Sequence, residues 1–173
     1  WKQNWRSEIK IYRNEQEYSD AFAPQRKEFR RWYHINVKNL HRQKIALDCL
    51  AYLESSKNIL TGIEKIFPPV EFKWQALNVP RIIIPPSYTR GFDAFFVSHE
   101  TPHIVNFGIN RHLVDYSGLY EVYKLEGPGT FELNFVVFSI NFAPIRQSFL
   151  LDIGSRLDDI KFSEKSKEKE ENS

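Results

Sequence analysis

The sequence predicts an all-β fold, an immunoglobulin-like antiparallel β-sandwich of about 7–9 strands with little helix. Apolar and polar residues alternate over several short segments, and Pro, Gly and Asn residues separate these segments. Aromatic residues, which favour the half-buried positions of strands, make up 15% of the chain. No regular alternation of strand-like and helix-like segments is visible, and this disfavours a dinucleotide-binding fold.

The strongest strand predictions are residues 29–37, 91–98 and 131–140, where bulky apolar side chains recur at every second position. Within 91–98 apolar residues lie on both faces, which indicates a central strand. Residues 148–153 are expected to pair with 131–140 in a hairpin whose longer loop holds Pro144. Shorter strands are predicted at residues 8–13, 59–67, 71–76, 81–84, 103–109, 119–125 and 160–162.

Residues 45–53 fit two interpretations. Their composition favours a helix over 43–57, whereas apolar residues also recur at every second position from Ile45 to Leu53. We interpret this segment as a strand, because its neighbours on both sides have strand patterns. Residues 14–27 are polar and contain Pro24, so we expect a connection there, with room for one helical turn.

Charge and cysteine content limit the possible partners. The net charge of +2 is too small for the concentrated basic face of a nucleic-acid binder, so we expect no nucleic acid. Cys49 is the single cysteine, and the chain has no Asn-x-Ser/Thr glycosylation acceptor, which favours a reducing, cytoplasmic location. We interpret Cys49 as a small buried apolar residue; the alternative is a nucleophile.

The chain divides into three parts. Residues 1–7 contain Trp and basic residues, as a juxtamembrane flank does, and the alternative is a trimmed terminus packed on the domain. Residues 8–162 form the sandwich, and the charged tail 163–173 is expected to be disordered. No run of about 18 apolar residues exists, so we expect membrane contact only through a segment upstream of Trp1.

Five motifs recur in a known pattern: RWYHINVKN at 31–39, ALDCLAYL at 46–53, IPP at 84–86, GFDAF at 91–95 and LEGPGTFEL at 125–133. Together they resemble a family of uncharacterised prokaryotic immunoglobulin-like β-sandwich domains, often found behind predicted membrane segments. The resemblance extends over residues 8–162 and implies a sandwich fold, and it supports the strand at 45–53. It implies no activity, because its motifs form turns and core positions.

One motif points to metal chemistry. His99 and His103 match H-E-x-x-H, which in zinc proteases places two imidazoles and a general base on one helix face. Pro102 disfavours that helix, so we expect a surface loop. A looser alternative is a metal site made by His99, His103 and His112 without a helix, which would serve a metal-dependent enzyme.

Five aromatic residues are candidates for ligand or partner contact: Trp74, Tyr88, Tyr116, Tyr120 and Tyr123. Sugars stack on such rings, although a buried Trp is also typical of immunoglobulin-like cores. We expect the tyrosines from Tyr116 to Tyr123 to be partly exposed.

No residue pattern in the chain forms a recognisable catalytic motif. Asp93 is expected to bond a backbone amide or pair with Arg90, and His34 to lie on a strand surface. We therefore expect a non-catalytic binding or scaffolding module with no cofactor, whose partner is a protein that contacts loop 110–120. The alternatives are a carbohydrate or small-ligand binding sandwich and the metal-dependent enzyme; the oligomeric state stays open.

Overall fold

A computed structural model describes residues 8–14, 18–75, 77, 79–109 and 119–166 of the chain. These residues form twelve strands and two short 3₁₀ helices, Leu119–Tyr123 and Leu157–Asp159. The strands are β1 (Ile9–Tyr12), β2 (Tyr18–Ala23), β3 (Glu28–Asn39), β4 (Ala46–Asn58), β5 (Glu64–Ile66), β6 (Ile82–Ile84), β7 (Thr89–Ser98), β8 (Ile104–Phe107), β9 (Lys124–Glu126), β10 (Gly129–Ser139), β11 (Phe142–Ile153) and β12 (Lys161–Glu164).

The strands form two antiparallel sheets, which confirms the all-β prediction. The first sheet has the order β1–β3–β7–β8–β9, and β2 also pairs with β3. The second has the order β12–β11–β10–β4–β5, and β6 also pairs with β4. Twelve strands exceed the expected 7–9 because the long strands β3 and β4 each carry two short strands along one edge.

Aromatic rings fill the space between the two sheets. Phe92 of β7 and Phe135 of β10 lie on opposite sheets with their ring centroids 5.8 Å apart. Phe72 contacts both rings edge-on, at 5.7 and 5.6 Å. Trp74 is 1% exposed and packs on Phe92. Such rings bury a large apolar area and prefer edge-to-face contacts, so this cluster is the centre of the core.

Residues 45–53 belong to strand β4, as the alternation predicted, but a β-bulge shifts which side chains face inward. Asp48 has a φ of 47°, and the pairing with β6 changes register between Ala46 and Cys49. Ala46 and Cys49 are both buried, three positions apart, whereas Leu47 is 40% exposed. The alternation predicted from Ile45 to Leu53 is therefore broken at Asp48: Ile45 and Leu47 do not share the buried face of Cys49, because the bulge inserts one extra residue.

The segment 14–27 contains strand β2, so the prediction of a connection with room for a helical turn was wrong there. All of β2 except its last residue, Ala23, is exposed, and the strand pairs with β3 from Tyr18 opposite Tyr33 to Ala23 opposite Glu28. An edge strand with little burial on either face has no apolar alternation to reveal it.

The β10–β11 hairpin is tighter than predicted. Ser139 pairs with Phe142, so the connection consists of Ile140 and Asn141 instead of a longer loop. Pro144 lies within β11, where the register with β10 is irregular. A bulge tolerates proline, because no ladder hydrogen bond from that nitrogen is needed.

Three weaker predictions differ from the structure in extent. Only Glu64–Ile66 is a strand within 59–67, and 71–76 contributes isolated bridges at Phe72 and Trp74. The 3₁₀ helix Leu119–Tyr123 replaces most of the strand expected at 119–125.

Strand β12 continues past the expected domain boundary at residue 162 to Glu164. The flank 1–7 and residues 167–173 of the predicted tail lie outside the described residues. None of the described helices is long and apolar enough to cross a membrane.

A buried and an exposed leucine test the contribution of the core to the free energy of unfolding. Leu133 is fully buried in β10, and Leu60 is 93% exposed after β4. We expect Leu133→Ala to lower the free energy of unfolding by about 2–5 kcal/mol, through lost burial and a residual cavity. Leu60→Ala should change it by less than about 0.5 kcal/mol. Urea denaturation monitored by tryptophan fluorescence measures both, and equal effects would contradict this core.

Candidate functional site

A groove of about 510 Å³ lies on the outer face of the second sheet. Its floor comes from directly paired positions of two central strands: Tyr52 of β4 opposite Val136 of β10, and Leu50 opposite Phe138. Paired residues in an antiparallel sheet point to the same side. Ala51, Phe135 and Val137 belong to the core, so the side chains that alternate with them face away from it. Val136 is nevertheless 1% exposed, because its neighbours on the outer face cover it.

Charged residues border this apolar floor. Glu54 accepts hydrogen bonds from the Arg146 guanidinium, with an Nη2–Oε1 distance of 3.0 Å. Arg81 also lines the groove and pairs with Glu71. Burial, and then the nearby Glu71 carboxylate, raise the pKa of the Tyr52 hydroxyl, so this hydroxyl stays protonated at neutral pH.

The apolar surface continues to one end of the sheet. Ile140, at the tip of the β10–β11 hairpin, is 73% exposed, and its N–H donates to the carbonyl of Leu47. Ile83 of β6 is exposed as well and lies opposite the bulge at Asp48. At this end the groove therefore continues into exposed apolar residues, and contiguous exposed apolar surface marks interaction sites on proteins.

A separate set of polar side chains meets on the outer face of the first sheet. The Ser19 Oγ lies 3.0 Å from His34 Nε2, and His34 Nδ1 lies 3.0 Å from Asp93 Oδ1. The side chains of His34 and Asp93 are 13% and 26% exposed, and Ser19 is exposed. When Nδ1–H donates to the carboxylate, Nε2 is left as an acceptor for the serine hydroxyl.

A bulge in β7 brings the side chains of His34 and Asp93 together. Tyr33 pairs with Phe95 and His34 pairs with Asp93, so β7 carries an extra residue, Ala94, at a bulge. Without it, His34 would face Ala94 instead of Asp93. Bulges re-aim side chains in this way and are frequent beside functional sites.

Gly108 supports the position of Asp93. Its N–H donates to the Ala94 carbonyl at 3.0 Å, and the Asp93 N–H donates to the Lys73 carbonyl at 3.1 Å. A Cβ at position 108 would collide with the Asp93 carbonyl oxygen, so only glycine allows this approach. Backbone groups of Lys73 and Gly108 thus fix the position of Asp93 from two sides.

The H-E-x-x-H motif lies in the turn between β7 and β8, so His99 and His103 share no helix face. His99 Nε2 lies 3.6 Å from Asp20 Oδ1, and Asp20 is also bonded by Arg31, which lowers the pKa of this carboxyl. Within the described part of the chain, no three potential metal ligands cluster. His112 lies outside it.

Two of the aromatic candidates do not present a ring face. Trp74 is buried in the core, and its Nε1–H donates to the Pro80 carbonyl at 3.1 Å. Tyr123 is 1% exposed and its hydroxyl donates to Pro68, which corrects the expectation that it is partly exposed. Burial raises the pKa of Tyr123 to about 12. Neither ring is available for stacking a sugar.

The remaining aromatic candidates have different positions. Tyr88 is 60% exposed beside the Pro85–Pro86 turn. Tyr120 belongs to the 3₁₀ helix Leu119–Tyr123. Tyr116 and residues 110–118 of the predicted contact loop lie outside the described residues.

Sequence reasoning missed both surfaces. Asp93 bonds His34, whereas a backbone amide or Arg90 was expected as its partner. The groove had a signal in the sequence: Val136 and Phe138 are apolar at positions that alternate with Phe135 and Val137, which face the core. Apolar residues on both faces of a strand indicate that its outer face has something to cover it.

Comparisons with known proteins add little. No family model matches the sequence, and no curated protein matches it. One solved structure, described as "X-ray structure of Northeast Structural Genomics Consortium target SoR45", aligns with 93% of this chain and 88% of its own at 13% identity and a TM-score of 0.37. At that level the alignment carries no argument about function.

Cys49 provides a test of the buried side of β4. It is fully buried, and burial raises the pKa of its thiol to about 11. Because the thiolate is the reactive form, we expect iodoacetamide at pH 8 to alkylate native Cys49 at least ~100-fold more slowly than the urea-unfolded chain. Mass spectrometry over time measures both rates. Rapid alkylation of the native protein would instead support the nucleophile interpretation.

Proposed function

We propose that this chain is a binding or scaffolding module that uses the outer groove of its second sheet to hold apolar side chains of a protein partner. The observation that carries the proposal is the apolar floor made by Leu50, Tyr52, Val136 and Phe138 on a face that points away from the core. No catalytic step is needed at this surface.

The energetics of the floor support a binding role. The outer face of an antiparallel sheet is commonly polar, because it faces water. Here Leu50, Tyr52 and Phe138 are half-buried rather than covered. Fully burying an exposed side chain of this size is worth about 1.5–3 kcal/mol, so completing the burial of a half-buried one contributes roughly half of that to binding.

The rim supports a partner that combines apolar and polar groups. The Glu54–Arg146 pair and Asp48 border the floor, and the exposed Ile140 extends it. Interfaces between proteins have this arrangement of an apolar centre with a polar edge. A small apolar ligand of similar chemistry is the second candidate, because the groove volume of about 510 Å³ lies in the range of ligand pockets.

We also propose the finer fold class, an immunoglobulin-like sandwich. Two facing antiparallel sheets and a buried tryptophan, Trp74, support it, since a Trp between the sheets is typical of that class. The loop 110–120 stays a proposed second contact surface.

Two matched leucines test the groove. Leu50 lies on its floor, and Leu150 is a half-buried residue of β11 outside the groove, on the same outer face. We expect Leu50→Gln to weaken the binding of peptides selected from a random library against the wild-type protein by at least ~10-fold. Leu150→Gln should leave their binding unchanged. Isothermal titration measures the affinities, and denaturation curves verify folding.

The same variants separate the two kinds of ligand. The dye 1-anilinonaphthalene-8-sulfonate is a small apolar probe, and its fluorescence reports binding to the groove. If the dye binds through Leu50 and no peptide does, the small-ligand candidate replaces the protein partner. If Leu50→Gln affects neither probe more than Leu150→Gln does, the groove is not the binding surface.

A further inference from the structure

We propose that Ser19, His34 and Asp93 form a nucleophilic serine site that accepts the acyl group of a small ester with an apolar acyl or aryl part. This inference goes beyond the binding role, because the site lies on the outer face of the first sheet and shares no residue with the groove. The two surfaces can therefore be tested separately.

The order of the hydrogen bonds assigns the roles. An unactivated serine hydroxyl is a weak nucleophile, and a neighbouring base that a third group orients makes it reactive. His34 Nε2 lies 3.0 Å from Ser19 Oγ and can receive its proton. Asp93 accepts from Nδ1 at 3.0 Å, which fixes the tautomer and stabilises the imidazolium that forms. Asp93 is thus a positioning residue.

Fixed backbone keeps this arrangement in place. Ser19 and His34 lie on the paired strands β2 and β3, and Asp93 lies on β7, which pairs with β3 on its other side. The bulge at Ala94 and the close approach of Gly108 hold Asp93 opposite the imidazole. The His34 side chain is 13% exposed, so it is largely shielded, whereas Ser19 is open to a substrate.

Neighbouring side chains indicate the substrate class. Trp32 is the direct pairing partner of Ser19, so its side chain lies on the same face, and its ring packs on Phe96 at 4.6 Å. The guanidinium of Arg30 lies 4.3 Å from the centre of the Phe96 ring and pairs with Glu28. An aromatic wall beside the hydroxyl suits an apolar acyl or aryl group.

The reaction is a balanced acyl transfer. The Ser19 Oγ attacks the ester carbonyl carbon while the hydroxyl proton moves to His34 Nε2. The tetrahedral intermediate then breaks its bond to the leaving oxygen, which takes the proton from His34 and departs as the alcohol. Water repeats the sequence on the acyl-serine, releasing the carboxylic acid and restoring Ser19.

A fluorophosphonate probe tests the nucleophile on the folded full chain. Ser19 Oγ displaces fluoride from phosphorus, and His34 takes up the hydroxyl proton, so labelling reports attack by the serine without requiring turnover. We expect peptide mass spectrometry to locate the label on Ser19, and Ser19→Ala to abolish it. Ser163→Ala is the matched control, because Ser163 is also an exposed strand serine, and it should leave the labelling unchanged.

Two further variants test the relay. His34→Gln should slow labelling of Ser19 by at least ~100-fold, the usual contribution of a general base, and Asp93→Asn should slow it by at least ~10-fold. Circular dichroism and urea denaturation verify that each variant folds. Labelling of Ser19 no faster than that of Ser163, or equal labelling of Ser19 in His34→Gln, would overturn the proposal.

A second measurement is independent of phosphorus chemistry. Ser19→Cys places a thiol beside His34, and a neighbouring base raises its thiolate fraction. We expect iodoacetamide to alkylate this thiol at least ~10-fold faster than the same thiol in the Ser19→Cys, His34→Gln double variant. Equal rates would show that His34 does not activate position 19.

Discussion

The contact between aromatic rings of the two sheets is the interaction on which the molecule depends. Phe92 and Phe135 meet between the sheets, and Phe72 closes on both. Phe95 of β7 extends the same contact to Phe162 of the last strand, at 4.9 Å. Because these rings fill the space between the sheets, the side chains that alternate with the core residues along β3, β4, β7 and β10 face outward.

Side chains on the outer faces of the central strands are therefore held in well-defined positions. Central strands are hydrogen-bonded on both sides, so their backbones vary little, and side chains on their outer faces inherit that order. The pairing of β4 with β10 orders Tyr52 and Phe138 in this way. The pairing of β3 with β7 does the same for His34 and Asp93. The two proposed surfaces thus share one structural origin on opposite sides of the molecule.

The sequence predicted those elements in which bulky apolar side chains recur at every second position over a long stretch. Residues 29–37, 91–98 and 131–140 correspond to β3, β7 and β10, and the ambiguous segment at 45–53 became part of β4. Strand β2 escaped prediction because little of it is buried. The bulges in β4 and β7 also escaped, since an inserted residue reverses the alternation without any marker in composition.

The relay was less predictable than the fold. Ser19, His34 and Asp93 are brought together by two strand registers and one bulge, and sequence spacing contains none of these. The groove was more accessible to prediction, because apolar residues on both faces of 131–140 were visible in the sequence. Loop 110–120, by contrast, was predicted from its tyrosines alone, and residues 110–118 lie outside the described part of the chain.

Arg13 joins β1 to β12, at opposite ends of the described chain. Its Nε donates to the Phe162 carbonyl at 2.9 Å, and its backbone N–H donates to Glu164 at 2.8 Å. Its guanidinium also stacks on Phe162 at 4.7 Å. Residues 9 and 165 consequently border one small depression. A domain whose two ends are neighbours can be inserted into a surface loop of another protein, or circularly permuted with a short linker, without separating its sheets.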